Sequence, residues 1–60
     1  MKLFRRARLH AKLCKFMNDL GEHRFTSREE MFSRILSLLE EAEELEDSSY
    51  NVIQRLITII

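Results

Sequence analysis

Three groups of residues in this chain could do chemistry. The first is soft-donor: His10 and Cys14 lie four apart, with His23 beyond them. A thiolate beside imidazoles can ligate a metal ion. No Cys/His cluster has structural-zinc spacing, however, and the plainer reading makes Cys14 a small buried hydrophobe and His10 the edge of an apolar seam. No metal and no cofactor is expected.

The second group is basic. Lys2, Arg5, Arg6, Arg8, Lys12 and Lys15 are interleaved with Leu3, Phe4, Leu9 and Leu13. Such a run can neutralise phosphates or lie on an anionic membrane surface, and Arg5, Arg8, Lys12 and Lys15 fall on one side of a helix as a candidate phosphate-binding face. The bland alternative is a solvated basic face. A base-reading helix usually follows a tight turn, and here the helix after the loop is the acidic one, which counts against base reading.

The third group is acidic: Glu40, Glu41, Glu43, Glu44, Glu46 and Asp47. Carboxylates this dense suggest acid–base work, but no pocket-forming sequence surrounds them. No catalytic residue is assigned, and the chain is read as not an enzyme. The same residues can dock on a basic partner, with Glu40, Glu41, Glu44 and Asp47 as the candidate partner-binding end. A solvated helix end is again the bland alternative.

The elements that must position these groups are helical. Leu9, Leu13, Phe16 and Leu20 recur at helical spacing, and Leu3, Ala7, His10, Cys14 and Met17 make a second, adjoining row. Together they predict a helix over residues 2–20, half apolar in circumference, with Gly21 as its C′ residue and a loop over 21–27. Thr26/Glu29 and Ser27/Glu30 are overlapping capping boxes, so a second helix is expected over 28–46. Met31, Ile35, Leu38, Ala42 and Leu45 form its heptad seam, widened by Phe32, Leu36 and Leu39. Asp47-Ser48-Ser49 is a breaker and candidate N-cap. The apolar residues from Tyr50 to Ile60 come two on, two off, which predicts a third helix over 49–60, although their β-branching favours a strand.

The charge is sorted along the chain. Residues 1–28 hold eight basic and two acidic residues, and residues 29–60 hold eight acidic and two basic, for a net charge of zero. Each of the first two helices therefore carries charge at the wrong end for its own dipole, at about 0.3–1 kcal/mol per well-placed charge. An antiparallel hairpin relieves this by laying one end beside the other. The seams suggest a register pairing Leu3 with Leu45, Ala7 with Ala42, His10 with Leu38, Cys14 with Ile35 and Met17 with Met31.

Sixty residues allow one domain, and a monomer of that size buries only about 60% of its unfolded surface. One cysteine excludes an internal disulfide, so a partner subunit is the remaining support. A homodimer is expected, with Ile53, Leu56, Ile57 and Ile60 at its interface. A composition 45% apolar and 33% charged is not that of a disordered tail. Zero Pro and one Gly argue against a turn-rich β fold. The longest uncharged stretch falls far short of the ~20 residues that span a bilayer, so no transmembrane segment is expected. Met-Lys-Leu-Phe-Arg-Arg has the basic flavour of a signal peptide, but no apolar stretch of about 7–15 residues follows. The chain is read as cytoplasmic.

The run Phe32-Ser-Arg-Ile-Leu-Ser-Leu-Leu-Glu-Glu, then Glu46-Asp-Ser-Ser-Tyr-Asn-Val-Ile-Gln-Arg-Leu-Ile-Thr-Ile-Ile, resembles the small enterobacterial two-component connector proteins, the AriR-like biofilm and acid-resistance regulators. Those proteins also show an apolar helix, a short polar break and a second apolar helix. The resemblance covers roughly residues 9–60 and rests on helix lengths and apolar spacing rather than a signature motif. It implies an all-helical dimer that regulates signalling or transcription through contact with proteins, and it carries over no functional residue. The expected architecture is all-α, an antiparallel hairpin plus a C-terminal helix in a dimeric bundle. The expected function is a small regulator that binds another protein, with nucleic-acid binding by the first helix as the alternative.

Overall fold

The computed structural model of the protein describes residues 2–60, with side chains from Phe4 onward. The described residues form three helices and no strand: α1 (Lys2–Gly21), α2 (Arg28–Glu44) and α3 (Ser49–Ile59). The all-α expectation holds, and the C-terminal segment is helical despite its β-branched residues. Burying an apolar stripe outweighs a propensity difference of a few tenths of a kcal/mol per residue.

Both helix-to-helix turns close in the same way. At the end of α1, the amides of Arg24 and His23 donate to the carbonyls of Asp19 (2.9 Å) and Leu20 (3.3 Å). At the end of α2, the amides of Asp47 and Glu46 donate to Ala42 (3.0 Å) and Glu43 (3.1 Å). Each is the paired closure of a Schellman motif, which needs a left-handed residue between its two bonds. That residue is His23 at φ 55° in the first turn and Glu46 at φ 52° in the second. The expectation of Gly21 at C′ is therefore corrected. The helix runs through Gly21, which has no positive φ, and the reversal comes two residues later, where it delivers Phe25 onto Phe16. The expected α2 end at residue 46 is also corrected to Glu44, because Glu46 has left helical space.

The N-terminus of α2 is the one that the capping boxes located. Ser27, extended at φ −154° and ψ 160°, accepts from the Glu30 amide at 3.1 Å. Glu30 reaches back one residue further than a simple box requires. Its carboxylate accepts from the Thr26 amide at 3.3 Å and from the Thr26 hydroxyl, which lowers its pKa.

The hairpin is antiparallel. Arg5, Lys12 and Asp19 ascend α1 while their partners Glu44, Glu41 and Arg34 descend α2. Arg28 donates to the Ile60 carbonyl at 2.7 Å, so α3 folds back antiparallel to α2 and parallel to α1. The core is Leu9, Leu13, Phe16, Ile35, Leu38, Ala42, Leu45 and Ile53. Side chains as fully buried as Leu9, Phe16, Ile35 and Ile53 contribute about 1.5–3 kcal/mol each.

Of the two apolar rows on α1, the fold buries Leu9–Leu13–Phe16 and leaves Ala7, His10, Cys14 and Met17 exposed. The expected pairing of Cys14 with Ile35 is corrected accordingly: Cys14 is exposed and Ile35 lies fully buried in the core. Lys12 meets Glu41 and Asp19 meets Arg34, about one helical turn from the expected register, whereas Arg5 meets Glu44 within it. The physical reason is volume. Two leucines and a phenylalanine remove far more apolar surface from water than an alanine, a histidine and a cysteine. The Leu3–Leu45 pairing lies outside the described side chains.

Candidate protein-docking surface

The sorted charges meet where α1 begins, α2 ends and α3 starts. Arg5 donates to Glu44 at 2.9 Å and Lys12 to Glu41 at 3.2 Å. Glu44 raises the pKa of Arg5 through that bond. Arg6 donates to the Leu45 carbonyl at 3.0 Å, placing a cation on the negative end of the α2 dipole. The basic-face assignment omitted Arg6. Its position between the core row and His10 was the signal that it turns toward the neighbouring helices.

Asp47 is the hub of this end. Although it belongs to the acidic cluster, it is buried. Its carboxylate accepts from the Ser49 amide at 3.0 Å and lies 2.8 Å from His10 Nε2. An ionised carboxylate can only accept, so Nε2 carries the proton. Ser48 already has helical dihedrals (φ −63°, ψ −20°) and makes no side-chain cap bond. Asp47 therefore performs the N-cap work for α3, bonding an amide that would otherwise be orphaned. Its pKa falls to about 2, drawn down by the Ser49 side chain, by His10 and by the Ser49 amide. The buried Ser49 hydroxyl makes no bond of full hydrogen-bond geometry. Its pull on the carboxylate is that of a nearby dipole, and the amide supplies the directed bond.

The expected site residues thus separate. On the acidic end, Glu41 and Glu44 are engaged with α1, Asp47 is structural, and Glu40 stays exposed. Glu43 and Glu46 are exposed as well, and with Glu40 they make no ion pair among the described residues. On the basic face, Arg5 and Lys12 are paired, whereas Arg8 and Lys15 are exposed and make no ion pair among the described residues. Of the expected oligomer interface, Ile53 is fully buried in the protomer and unavailable to a partner. Leu56, Ile57 and Ile60 are half-buried against the same core. His10 is committed to Asp47, and among the described residues no three His, Cys, Asp or Glu side chains group as a metal site.

Two open hollows lie along the seam of α2 and α3 and are together called the trough. Toward the start of α2 is an open notch of about 450 Å³ lined by Leu36, Leu39, Gln54, Ile57 and Thr58. Further along the seam, toward the end of α2, lies a separate hollow of about 400 Å³ whose lining includes Glu43, Glu46 and Tyr50. Phe32 and Leu36 are exposed beside the apolar part, and Glu40 is one turn beyond Leu36. The trough is therefore apolar at one end and acidic at the other. Its acidic end coincides with the C-terminus of α2, where the helix dipole adds negative potential.

Compared with known proteins, the chain matches no family model, no curated protein and no solved structure. Among the described residues, no helix is long and apolar enough to cross a membrane.

Proposed function

We propose that this chain is a small non-enzymatic regulator that works by binding another protein, modulating a signalling or transcription factor through the α2–α3 trough and its acidic rim. The observation that carries this reading is the fate of the glutamates. Glu40, Glu43 and Glu46 crowd a helix C-terminus where charge–dipole physics disfavours them, and none has an ion-pair partner among the described residues. Carboxylates held in an unfavourable field beside an exposed apolar notch suit a basic partner whose charges relieve that field on docking. The AriR-like resemblance accords with such a role.

The alternative, nucleic-acid binding by α1, draws on the exposed Arg8 and Lys15. Against it stands the internal pairing of Arg5 with Glu44 and Lys12 with Glu41, which sets a carboxylate beside half of the assigned basic face.

Affinity capture from the native host, with and without nuclease, followed by charge reversal, separates the two. Reversing Glu40, Glu43 and Glu46 to Lys removes the captured protein, while reversing Arg8 and Lys15 to Glu leaves it bound. The wild type binds random duplex negligibly at physiological salt. Duplex binding on the order of micromolar, weakening with a log–log salt slope of about −0.9 per phosphate contacted, overturns the proposal in favour of the alternative.

A further inference from the structure

The trough matches a feature that the chain itself displays elsewhere. On the side of α1 turned away from Leu9, Leu13 and Phe16 lie Phe4, Ala7, Ala11 and Cys14, all exposed and spaced three and four apart. Phe4 is 68% exposed, a large aromatic ring left in water. The residues after it are small, so another helix pair can approach the α1 backbone closely. Arg8 and Lys15 flank the stripe. Read from its N-terminus, this face is aromatic first and basic afterwards. Read along α2, the trough is apolar first and acidic afterwards. The two agree in sequence of polarity and oppose in sign of charge.

We propose that the outer face of α1 on one copy docks into the α2–α3 trough of a second copy. Phe4 enters the notch of Leu36, Leu39 and Ile57, and α1 lies parallel to α2, with Arg8 and Lys15 directed toward Glu40, Glu43 and Glu46. This occupant is argued from charge complementarity, since the unpaired cations and the unpaired glutamates belong to the same neutral chain. A protomer of 60 residues that exposes six large hydrophobics among the described residues also has apolar surface to spare.

The two faces are not adjacent. α1 meets α2 on its Arg5, Lys12 and Asp19 side, whereas the trough lies on the Leu36 and Leu39 side, where α2 meets α3. The contact is therefore heterologous: each copy offers a knob on one side and a hole on another, and association proceeds head to tail instead of stopping at a two-fold dimer. This inference goes beyond the regulator reading and does not depend on it. A second copy and a basic partner compete for the same trough, and the test uses the chain alone.

Sedimentation velocity on the purified chain, up to about 1 mM to reach weak specific association, is expected to show a mass that rises with concentration. Added salt lowers that mass by screening the charges. Phe4→Asp removes the knob and Leu36→Asp fills the hole with charge; each is expected to weaken association roughly tenfold or more. Both positions are exposed, and circular dichroism checks that each variant keeps its helix content. Mixing the two variants is decisive. The intact trough of the Phe4→Asp chain accepts the intact α1 of the Leu36→Asp chain, so the mixture forms a 1:1 pair and nothing larger. Arg8→Glu and Glu43→Arg leave the apolar contacts intact and swap the charges: each alone is expected to weaken association, and their mixture regains complementary charge at both contacts, so that growth beyond a pair returns. A wild type that stays monomeric at the highest concentration overturns the proposal. So does association that neither variant weakens, or loss of association that mixing fails to restore.

Discussion

At the α1–α2 turn, Phe16 and Phe25 pack with ring centroids 5.2 Å apart and planes tilted by 51°. Arg34 lies over both rings, at 5.7 and 5.0 Å from their centroids, and donates to Asp19 at 3.0 Å. At the α2–α3 turn there is no aromatic pair. A buried carboxylate, Asp47, ties the α3 amide of Ser49 to His10 on α1. The backbones of the two turns are nearly the same, both Schellman closures through a non-glycine left-handed residue. What differs is the chemistry that holds the neighbouring elements against them. The first turn is held by aromatic burial with the Arg34–Asp19 ion pair laid over it. The second is held by an ionised group, so its strength depends on pH. The depressed pKa of Asp47 therefore makes acid sensitivity a property to test at the second turn.

The largest test of this contrast is Phe16→Ala. Phe16 is fully buried, and its truncation removes the floor under Phe25 and Arg34 as well as its own burial, at about 3–5 kcal/mol. At about 0.05–0.15 kcal/mol of stability per residue, that loss is comparable with the whole stability of the chain. Far-ultraviolet circular dichroism is expected to show a largely unfolded protein at 25 °C. A cooperative melt close to that of the wild type would mean that the first turn does not rest on its aromatic contacts.

Asp47→Ala is expected to cost less, about 1–2 kcal/mol, the upper range for loss of a helix cap. α3 has 11 residues, too few to be stable alone in water, so the loss appears first as lower protection of α3 amides in hydrogen exchange. The pH dependence has a definite sign. The folded pKa of Asp47 is depressed from 3.8 to about 2. Its contribution is complete above the unfolded value and is lost as pH falls through the folded one. The wild-type melting temperature should therefore fall more steeply than that of Asp47→Asn between about pH 4 and pH 2. Equal slopes would remove Asp47 as the source of acid sensitivity.

These two turns also mark how far the sequence could be read. Three helices, the antiparallel hairpin and the Ser27 cap follow from periodicity, charge sorting and the capping pattern, all of them local or summed signals. The choice between the two rows of α1 did not follow. Both rows have helical spacing, and only the packed core decides that Leu9, Leu13 and Phe16 go inside. The left-handed residues were equally hidden, because glycine is the usual marker and His23 and Glu46 carry none of its signature. Asp47 was legible as a breaker and candidate cap, yet its place in a run of carboxylates also drew it into the docking site. Burial, which no run of charges displays, separates it from Glu40, Glu43 and Glu46. Arg34 gave no sign of its aromatic cage, since Phe16, Phe25 and Asp19 are distant from it in sequence.

The finest test replaces the left-handed residues themselves. A non-glycine residue in that region costs about 1–2 kcal/mol, and glycine returns part of the gain through the entropy of the unfolded chain. His23→Gly and Glu46→Gly are each expected to stabilise by about 0.5–1 kcal/mol, read as a raised midpoint in denaturant. The two should not gain equally. Glu46 stands among like charges at the negative end of the α2 dipole, so removing it also relieves repulsion of about 0.3–1 kcal/mol. His23 carries no negative charge beside the end of α1, so its removal brings no such relief. Glu46→Gly should therefore gain more, and its excess over His23→Gly should shrink as salt screens the exposed charges. A difference that salt leaves unchanged would assign the excess to backbone strain, and the two turns would then differ in geometry rather than in charge.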